Sequence, residues 1–182
     1  MSKLPLWTAS IGAAVILLSA CGQTDPGQTV SKVETAATTA DQTEWKGYTD
    51  KANDALKSGD KAAAEENYKQ AIAAAKKLGE NDPAVAEAIA NAASFYYVQG
   101  DGEQADELYS QSLALREANK GKEHADLIQD LIGLAKVRMS QKKYADACTF
   151  FERATAIAKK SGTQIDSETE TQYENAKKLS ES

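Results

Sequence analysis

Residues 93–112 read Ala-Ser-Phe-Tyr-Tyr-Val-Gln-Gly-Asp-Gly-Glu-Gln-Ala-Asp-Glu-Leu-Tyr-Ser-Gln-Ser. Two helix-forming runs meet there at a short polar turn, Gln99-Gly100-Asp101. The same arrangement recurs on both sides, at Ser58-Gly59-Asp60 and at Gln141-Lys142-Lys143, so the turns are spaced by 41 and 42 residues. Aligned on the turns, Ala52, Ala93 and Ala135 coincide before them. Ala64, Ala105 and Ala147 coincide after them, followed by Tyr68, Tyr109 and Phe151, and then by Ala71, Ser112 and Ala154. Gly79, Gly121 and Gly162 repeat with the same period at the outer breaks. A small residue on each helix lets two backbones approach closely, and an aromatic ring one turn later fills the space to the next helix. Within each helix the apolar residues recur every three or four positions, as in Ile89, Ala92, Ala93, Tyr96 and in Leu127, Leu131, Leu134, Ala135. One such hairpin cannot bury its apolar face alone, so hairpins of this kind stack into a solenoid.

This small–aromatic–small pattern resembles the tetratricopeptide repeat. The stretch Leu78-Gly79-Glu80-Asn81-Asp82-Pro83-Ala84-Val85-Ala86, followed by Asn91-Ala92-Ala93, is similar to the longer repeat of the kinesin-light-chain type. Its next copy, Lys122-Glu123-His124-Ala125-Asp126-Leu127, has Ala125 where that pattern has proline. The resemblance implies an all-α fold, a right-handed solenoid of three helical hairpins (about 44–78, 83–119 and 124–160) plus a C-terminal capping helix at 166–180. The expected helices are 43–58, 61–78, 83–98, 103–119, 124–140, 144–160 and 166–180. Tyr173 falls 42 residues after Leu131, so the last helix reads as a cover for the third hairpin with a polar outer face.

Outward from the repeats, residues 22–43 are rich in Thr and Gln, hold Pro26-Gly27 and show no apolar period, which reads as a flexible linker. Before them, Lys3 gives a positive start and an apolar run extends from Ile11 to Leu18, too short to span a bilayer comfortably. Leu18-Ser19-Ala20-Cys21 resembles the lipobox of bacterial lipoproteins; an ordinary secretory signal is the alternative. The resemblance implies that residues 1–20 are removed as a signal peptide and that Cys21 is lipidated. The domain at 44–182 would then stand off a membrane on the linker 21–43. Several acyl chains give stable attachment where a single chain gives only marginal binding. Gly22, rather than Asp, after the cysteine implies by the same analogy the outer membrane of a bacterial cell envelope, facing the periplasm.

The full chain has 182 residues and a net charge of −6, which disfavours a nucleic-acid binder, since phosphate neutralisation needs a basic footprint. It carries one histidine and two cysteines, too few for a disulfide framework or for most metal sites. His124 stands at the turn entering a helix, where Asp82 stands one repeat earlier; it reads as a cap, against a metal or acid–base role that lacks partners. Cys148 reads as a buried thiol, with an intermolecular disulfide as the alternative. Glu65-Glu66, Glu103/Asp106/Glu107 and Glu168/Glu170 lie beside lysines at helical spacing and read as solvated faces. Gly100-Asp101-Gly102 has no strand before it and is no phosphate loop. No catalytic set and no cofactor is expected.

What remains is binding. The resemblance places the first helix of each hairpin along a concave groove that holds a partner protein's peptide or helix. The groove-facing positions are then Thr49, Asn53 and Leu56; Ala90, Asn91, Ser94 and Tyr97; and Gln129, Ile132, Lys136 and Met139. Asn53 and Asn91 match two asparagines that grip a peptide backbone or terminal carboxylate in chaperone-adaptor members, or else they sit on hydrated surface. The cations those members add fall here on Thr49, Gln129 and Gly133, so a carboxylate clamp is not expected. Tyr97 and Met139 either form an apolar patch for a partner helix or pack internally. The reading is a membrane-anchored envelope scaffold or adaptor. Its alternatives are a self-assembling structural lipoprotein (a homo-oligomer) or an accessory subunit of an envelope hydrolase or of a secretion or assembly machine.

Overall fold

The alanines that repeat at Ala52/Ala64, Ala93/Ala105 and Ala135/Ala147 are all completely buried, and around them the chain folds into paired helices. The computed structural model describes residues 39–181, with side chains from residue 43. The expected signal peptide, Cys21 and the expected linker up to residue 38 lie outside the described residues. Those that are described belong to one unit, Ala36–Ser182. They form seven α-helices and no strand: α1 (Thr39–Lys57), α2 (Lys61–Lys76), α3 (Pro83–Gln99), α4 (Gly102–Lys120), α5 (Ile128–Ser140), α6 (Tyr144–Ser161) and α7 (Ser167–Ser180). The pairs α1/α2, α3/α4 and α5/α6 are the three hairpins, successive hairpins pack on one another, and α7 packs on α6 and α5.

Two boundaries depart from the sequence expectation by four residues, and the others agree within two. Helix α1 begins at Thr39, four residues inside the stretch read as linker. Helix α5 begins at Ile128, because Ala125–Leu127 form a 3-10 turn. In α3 the start is set by Pro83 at the first helical position and by Asp82, whose Oδ1 accepts from the Ala84 N–H at 2.8 Å. The third copy has Ala125 and His124 instead. The imidazole Nδ1 accepts from the Asp126 N–H at 3.2 Å, and without proline's fixed φ the first turn tightens.

Inside each hairpin the aromatic residue of the second helix packs on the alanine pair: Tyr68 on Ala52 and Ala64, Tyr109 with Ala93 and Ala105, Phe151 on Ala135 and Ala147. Between hairpins a second register takes over. Ile89, Ala92 and Phe95 of α3 are followed at the same spacing by Leu131, Leu134 and Val137 of α5, all buried against the preceding hairpin. In α7 the same positions are Tyr173, Ala176 and Leu179. Ala176 is buried and the Tyr173 ring lies 5.7 Å from that of Phe151, so α7 closes the third hairpin. Its opposite face is polar: Lys177, one repeat after Ala135, stands over the Tyr173 ring at 3.8 Å and pairs with Glu174 at 2.8 Å. The described helices include none long and apolar enough to cross a membrane.

The three turns are not equally relaxed. Gly59 and Gly100 hold φ of +81° and +84°, and Asp60 and Asp101 then cap the next helix through Ala63 N and Gln104 N. In the third turn Lys142 takes the same left-handed conformation at φ +61°, and Lys143 makes no side-chain cap to α6. A Cβ in that region costs about 1 kcal/mol, and a missing cap about the same. Lys142→Gly and Lys143→Asp are therefore each expected to stabilise the protein by ~1 kcal/mol, read as a higher urea midpoint with unchanged slope. Gly100→Lys is expected to do the reverse.

Candidate functional site

Helices α3 and α5 and the start of α7 enclose a groove of about 720 Å³. Asn91 of α3 faces it from one side, Gln129, Ile132 and Lys136 of α5 from the other, and Asp166 closes one end, while Arg116 of α4 reaches in from below. Asn91 and Lys136 are half-buried and Gln129 is exposed. Asp166 is already committed to α7: its Oδ1 accepts from the Thr169 N–H and its Oδ2 from the Thr169 hydroxyl, both at 2.8 Å. Those two bonds hold its carboxyl below the usual carboxylate range, and Lys136 adds a smaller push in the same direction.

Of the positions read from sequence, Asn91, Gln129 and Lys136 thus share one concavity with Ile132, and the others are placed differently. Asn53 is exposed, but its Oδ1 accepts from the Tyr68 hydroxyl at 2.8 Å, which leaves only the amide NH2 for a partner. Ser94, its equivalent one repeat on, stands beside the Tyr109 hydroxyl. Burial nonetheless pushes that phenol above its ordinary pKa. Tyr97 is half-buried against the core shared by the second and third hairpins, and Met139 against the Ala135, Ala147, Phe151 and Ala176 cluster. Thr49 donates its hydroxyl to the Trp45 carbonyl at 3.0 Å. Cys148 is half-buried, with Sγ 4.0 Å from the Ser180 hydroxyl. Among the described residues no three His, Cys, Asp or Glu side chains gather as a metal site would need.

Gly133 has a physical reason that spacing alone did not reveal. A Cβ built there would stand 2.5 Å from Tyr109 Cζ, so the hydroxyl end of the ring lies against the α5 backbone and no side chain fits. A groove cation at this position is sterically excluded.

Sequence reading also passed over a buried polar cluster beneath the groove. Asp130 of α5 is wholly buried, and its Oδ2 lies 3.0 Å from Arg116 Nη1 and 3.0 Å from the Ser112 hydroxyl. Ser112 also lies 2.9 Å from the Ala86 carbonyl, and Arg116 donates to the Asp126 carbonyl at 3.0 Å. The available signal was register: one repeat earlier Ser112, Arg116 and Asp130 correspond to Ala71, Ala75 and Ala88, all buried in one apolar cluster.

With the geometry in place, known proteins bear on it directly. Residues 84–160 match the family model described as tetratricopeptide repeat, so this part of the chain carries repeats of that family. No curated protein matches the sequence. Among solved structures, the chain is similar to a putative kinesin light chain with nearly identical TPR-like repeats from Podosopora anserina. That similarity is 20% identity over 79% of this chain and 69% of that one, with a TM-score of 0.66. It is similar also to BtubC (BKLC) from P. vanneervenii, at 18% identity over 78% and 66% of the two chains, TM-score 0.60. The Sgt2 TPR domain from Aspergillus fumigatus aligns at 18% identity over 83% and 85%, TM-score 0.57. These likenesses establish the fold: an all-helical tetratricopeptide-type solenoid.

The packing of Tyr109 on Gly133 makes a sharp prediction. Gly133→Ala is expected to destabilise the chain by about 2 kcal/mol, because a rigid ring has to move against a close-packed core. Adding Tyr109→Leu to that variant should recover part of the loss in a thermal or urea melt, whereas the same Ala change at exposed Gly47 should be nearly silent or mildly stabilising.

Proposed function

We propose that the protein is a membrane-anchored adaptor of a bacterial cell envelope, tethered through lipid at Cys21, which captures a peptide or helix of a partner protein in the α3/α5 groove. The observation that carries the proposal is the meeting of Asn91, Gln129 and Lys136 on one concave face, next to apolar Ile132. A primary amide offers both donor and acceptor, so Asn91 and Gln129 can replace the backbone partners that an extended peptide loses when it leaves water. Asn53 contributes less, since its carbonyl is taken by Tyr68.

The charges at the two ends of the array favour capture over self-assembly. At the first hairpin, the α1 positions equivalent to Ile89, Ala92 and Phe95 are Tyr48, Lys51 and Asp54. Lys51 sits 5.1 Å over the Tyr48 ring, and Asp54 pairs with Lys57. At the other end, Lys177 and Glu174 cover α7. Stacking a further hairpin on either face would strip water from these charges without offering a partner. The accessory-subunit reading uses the same groove and differs only in what is captured.

Two outcomes are expected. Cys21→Ser should move the protein from the membrane to the soluble fraction. Attachment that survives both this change and a high-salt wash would exclude the lipid anchor. Asn91→Ala should weaken partner capture about tenfold, roughly 1.4 kcal/mol, and Asn53→Ala by less, with melting temperatures almost unchanged. Undiminished capture by the double variant, measured by pull-down from detergent-solubilised envelopes, would remove the amide-gripping role.

A further inference from the structure

The three junctions between successive units are built on one register, and the middle one departs furthest from the alanines of the first. Between the first and second hairpins the facing positions are Ala71, Ala75 and Ala88, all fully buried. Between the third hairpin and α7 they are Ala154, Ala158 and Gln172. Between the second and third hairpins they are Ser112, Arg116 and Asp130: a hydroxyl, a cation and a carboxylate in place of three methyl groups. Asp130 is completely buried, and its Oδ1 has no hydrogen-bond partner.

Proton inventory defines what this cluster does. The Ser112 hydroxyl has one hydrogen and two acceptors in reach, the Ala86 carbonyl at 2.9 Å and Asp130 Oδ2 at 3.0 Å. While Asp130 is ionised, both compete for that single hydrogen, and a charged oxygen stays buried without a donor. When Asp130 takes up a proton, its O–H donates to Ser112 Oγ, and Ser112 donates to Ala86. The chain of bonds from α5 through α4 to α3 is then continuous, Oδ2 still accepts from Arg116, and the unpartnered Oδ1 no longer carries charge.

We propose that Ser112, Arg116 and Asp130 form a proton-responsive joint between the second and third hairpins, tightened when Asp130 is protonated and loosened when it is ionised. The groups that face Asp130 fit this role. From α4 come Tyr109, Ser112 and Arg116; from the 3-10 turn comes Asp126, itself paired with Lys120 and flanked by His124; from α3 come the Ala86 carbonyl and, further out, Glu87. Glu117, one position beyond Arg116, is already paired with Arg153 of α6 at 2.6 Å. Among the described residues Arg116 is thus the one cation in direct contact with Asp130, and it is shared with the Asp126 carbonyl. In support, burial pushes the Asp130 carboxyl from 3.8 up to about 6, outweighing the opposing pull of Arg116 and Ser112. A carboxyl raised on folding adds stability in its protonated form, so this contribution is present at low pH and is lost as pH rises from about 4 to about 6.

The consequence for the groove rests on the function proposed above: Asn91 stands on α3, and Gln129 and Lys136 on α5, so the joint sets their separation. The joint is tested without any partner. Amide hydrogen exchange of the full-length chain in neutral detergent, corrected for intrinsic chemistry, should show protection at residues 128–134 rising as pH falls from 7.5 to 5. The rise should be about tenfold, as expected between these pH values for a carboxyl moved from 3.8 to about 6, and exceed that of the α1/α2 amides. Asp130→Asn should abolish the excess, and His124→Gln should retain it. The variant Ser112→Ala/Arg116→Ala/Asp130→Ala, which copies the alanine junction, should also be flat with pH, and it serves if Asp130→Asn does not fold. A uniform response across the chain, no response, or an excess that persists without Asp130 overturns the joint. Capture by the groove is scored separately, so its failure would leave the exchange result standing.

Discussion

Close approach of paired helices at the alanine positions is the constraint on which everything else in this structure depends. Ala52/Ala64, Ala93/Ala105 and Ala135/Ala147 present no side chain beyond Cβ, so the two helices of each hairpin meet almost backbone to backbone. That contact leaves a wedge-shaped space one turn away, and Tyr68, Tyr109 and Phe151 fill it. The ring that fills one hairpin also shapes the next, as Tyr109 lies against Gly133 of α5. Stacking is therefore not an addition to the hairpins but the completion of their packing, since each ring buries only when the following helix arrives.

The same logic explains how the array ends. Helix α7 keeps the register that meets the preceding hairpin, through Tyr173 and Ala176, and abandons the one that would accept a helix of its own. Lys177 stands where Ala135 stood, and a lysine cannot permit close approach. At the other end, Lys51 and Asp54 of α1 replace the apolar Ala92 and Phe95 of α3. Both ends carry a tyrosine, Tyr48 and Tyr173, where the inner copies have Ile89 and Leu131, and in each case a lysine covers its ring. An exposed apolar plate becomes an amphipathic one without losing the packing on its inner side.

The features legible in the sequence were those that repeat. Turn spacing, the alanine positions and the aromatic wedges all recur, and a recurring pattern carries its own control. What could not be read depended on single residues meeting across helices. Lys142 aligned correctly with Gly59 and Gly100, but its left-handed backbone follows from the turn geometry and not from residue type. The 3-10 turn before α5 arises because His124 and Ala125 replace Asp82 and Pro83, a difference visible in the alignment whose local effect was not. Within the groove, family register brought Asn91, Gln129 and Lys136 to one concavity. It could not reveal that the Asn53 carbonyl is occupied, because that bond comes from Tyr68, fifteen residues away on the facing helix.

Comparing the three hairpins shows how their polar groove positions are tied to the core. Asn53 and Ser94 occupy equivalent places: Asn53 bonds the Tyr68 hydroxyl, and Ser94 stands beside that of Tyr109. In the third hairpin the tyrosine is Phe151, which has no hydroxyl to satisfy, and the polar position is Lys136, which instead lines the groove beside Asp166. Where the wedge carries an oxygen, the groove residue is recruited to structure; where it does not, the residue is left to the groove. The free polar groups consequently concentrate at the α3/α5 end of the groove. That is also where the buried Asp130 cluster joins the hairpins, so the surface best equipped to hold a partner sits over the junction least like its neighbours.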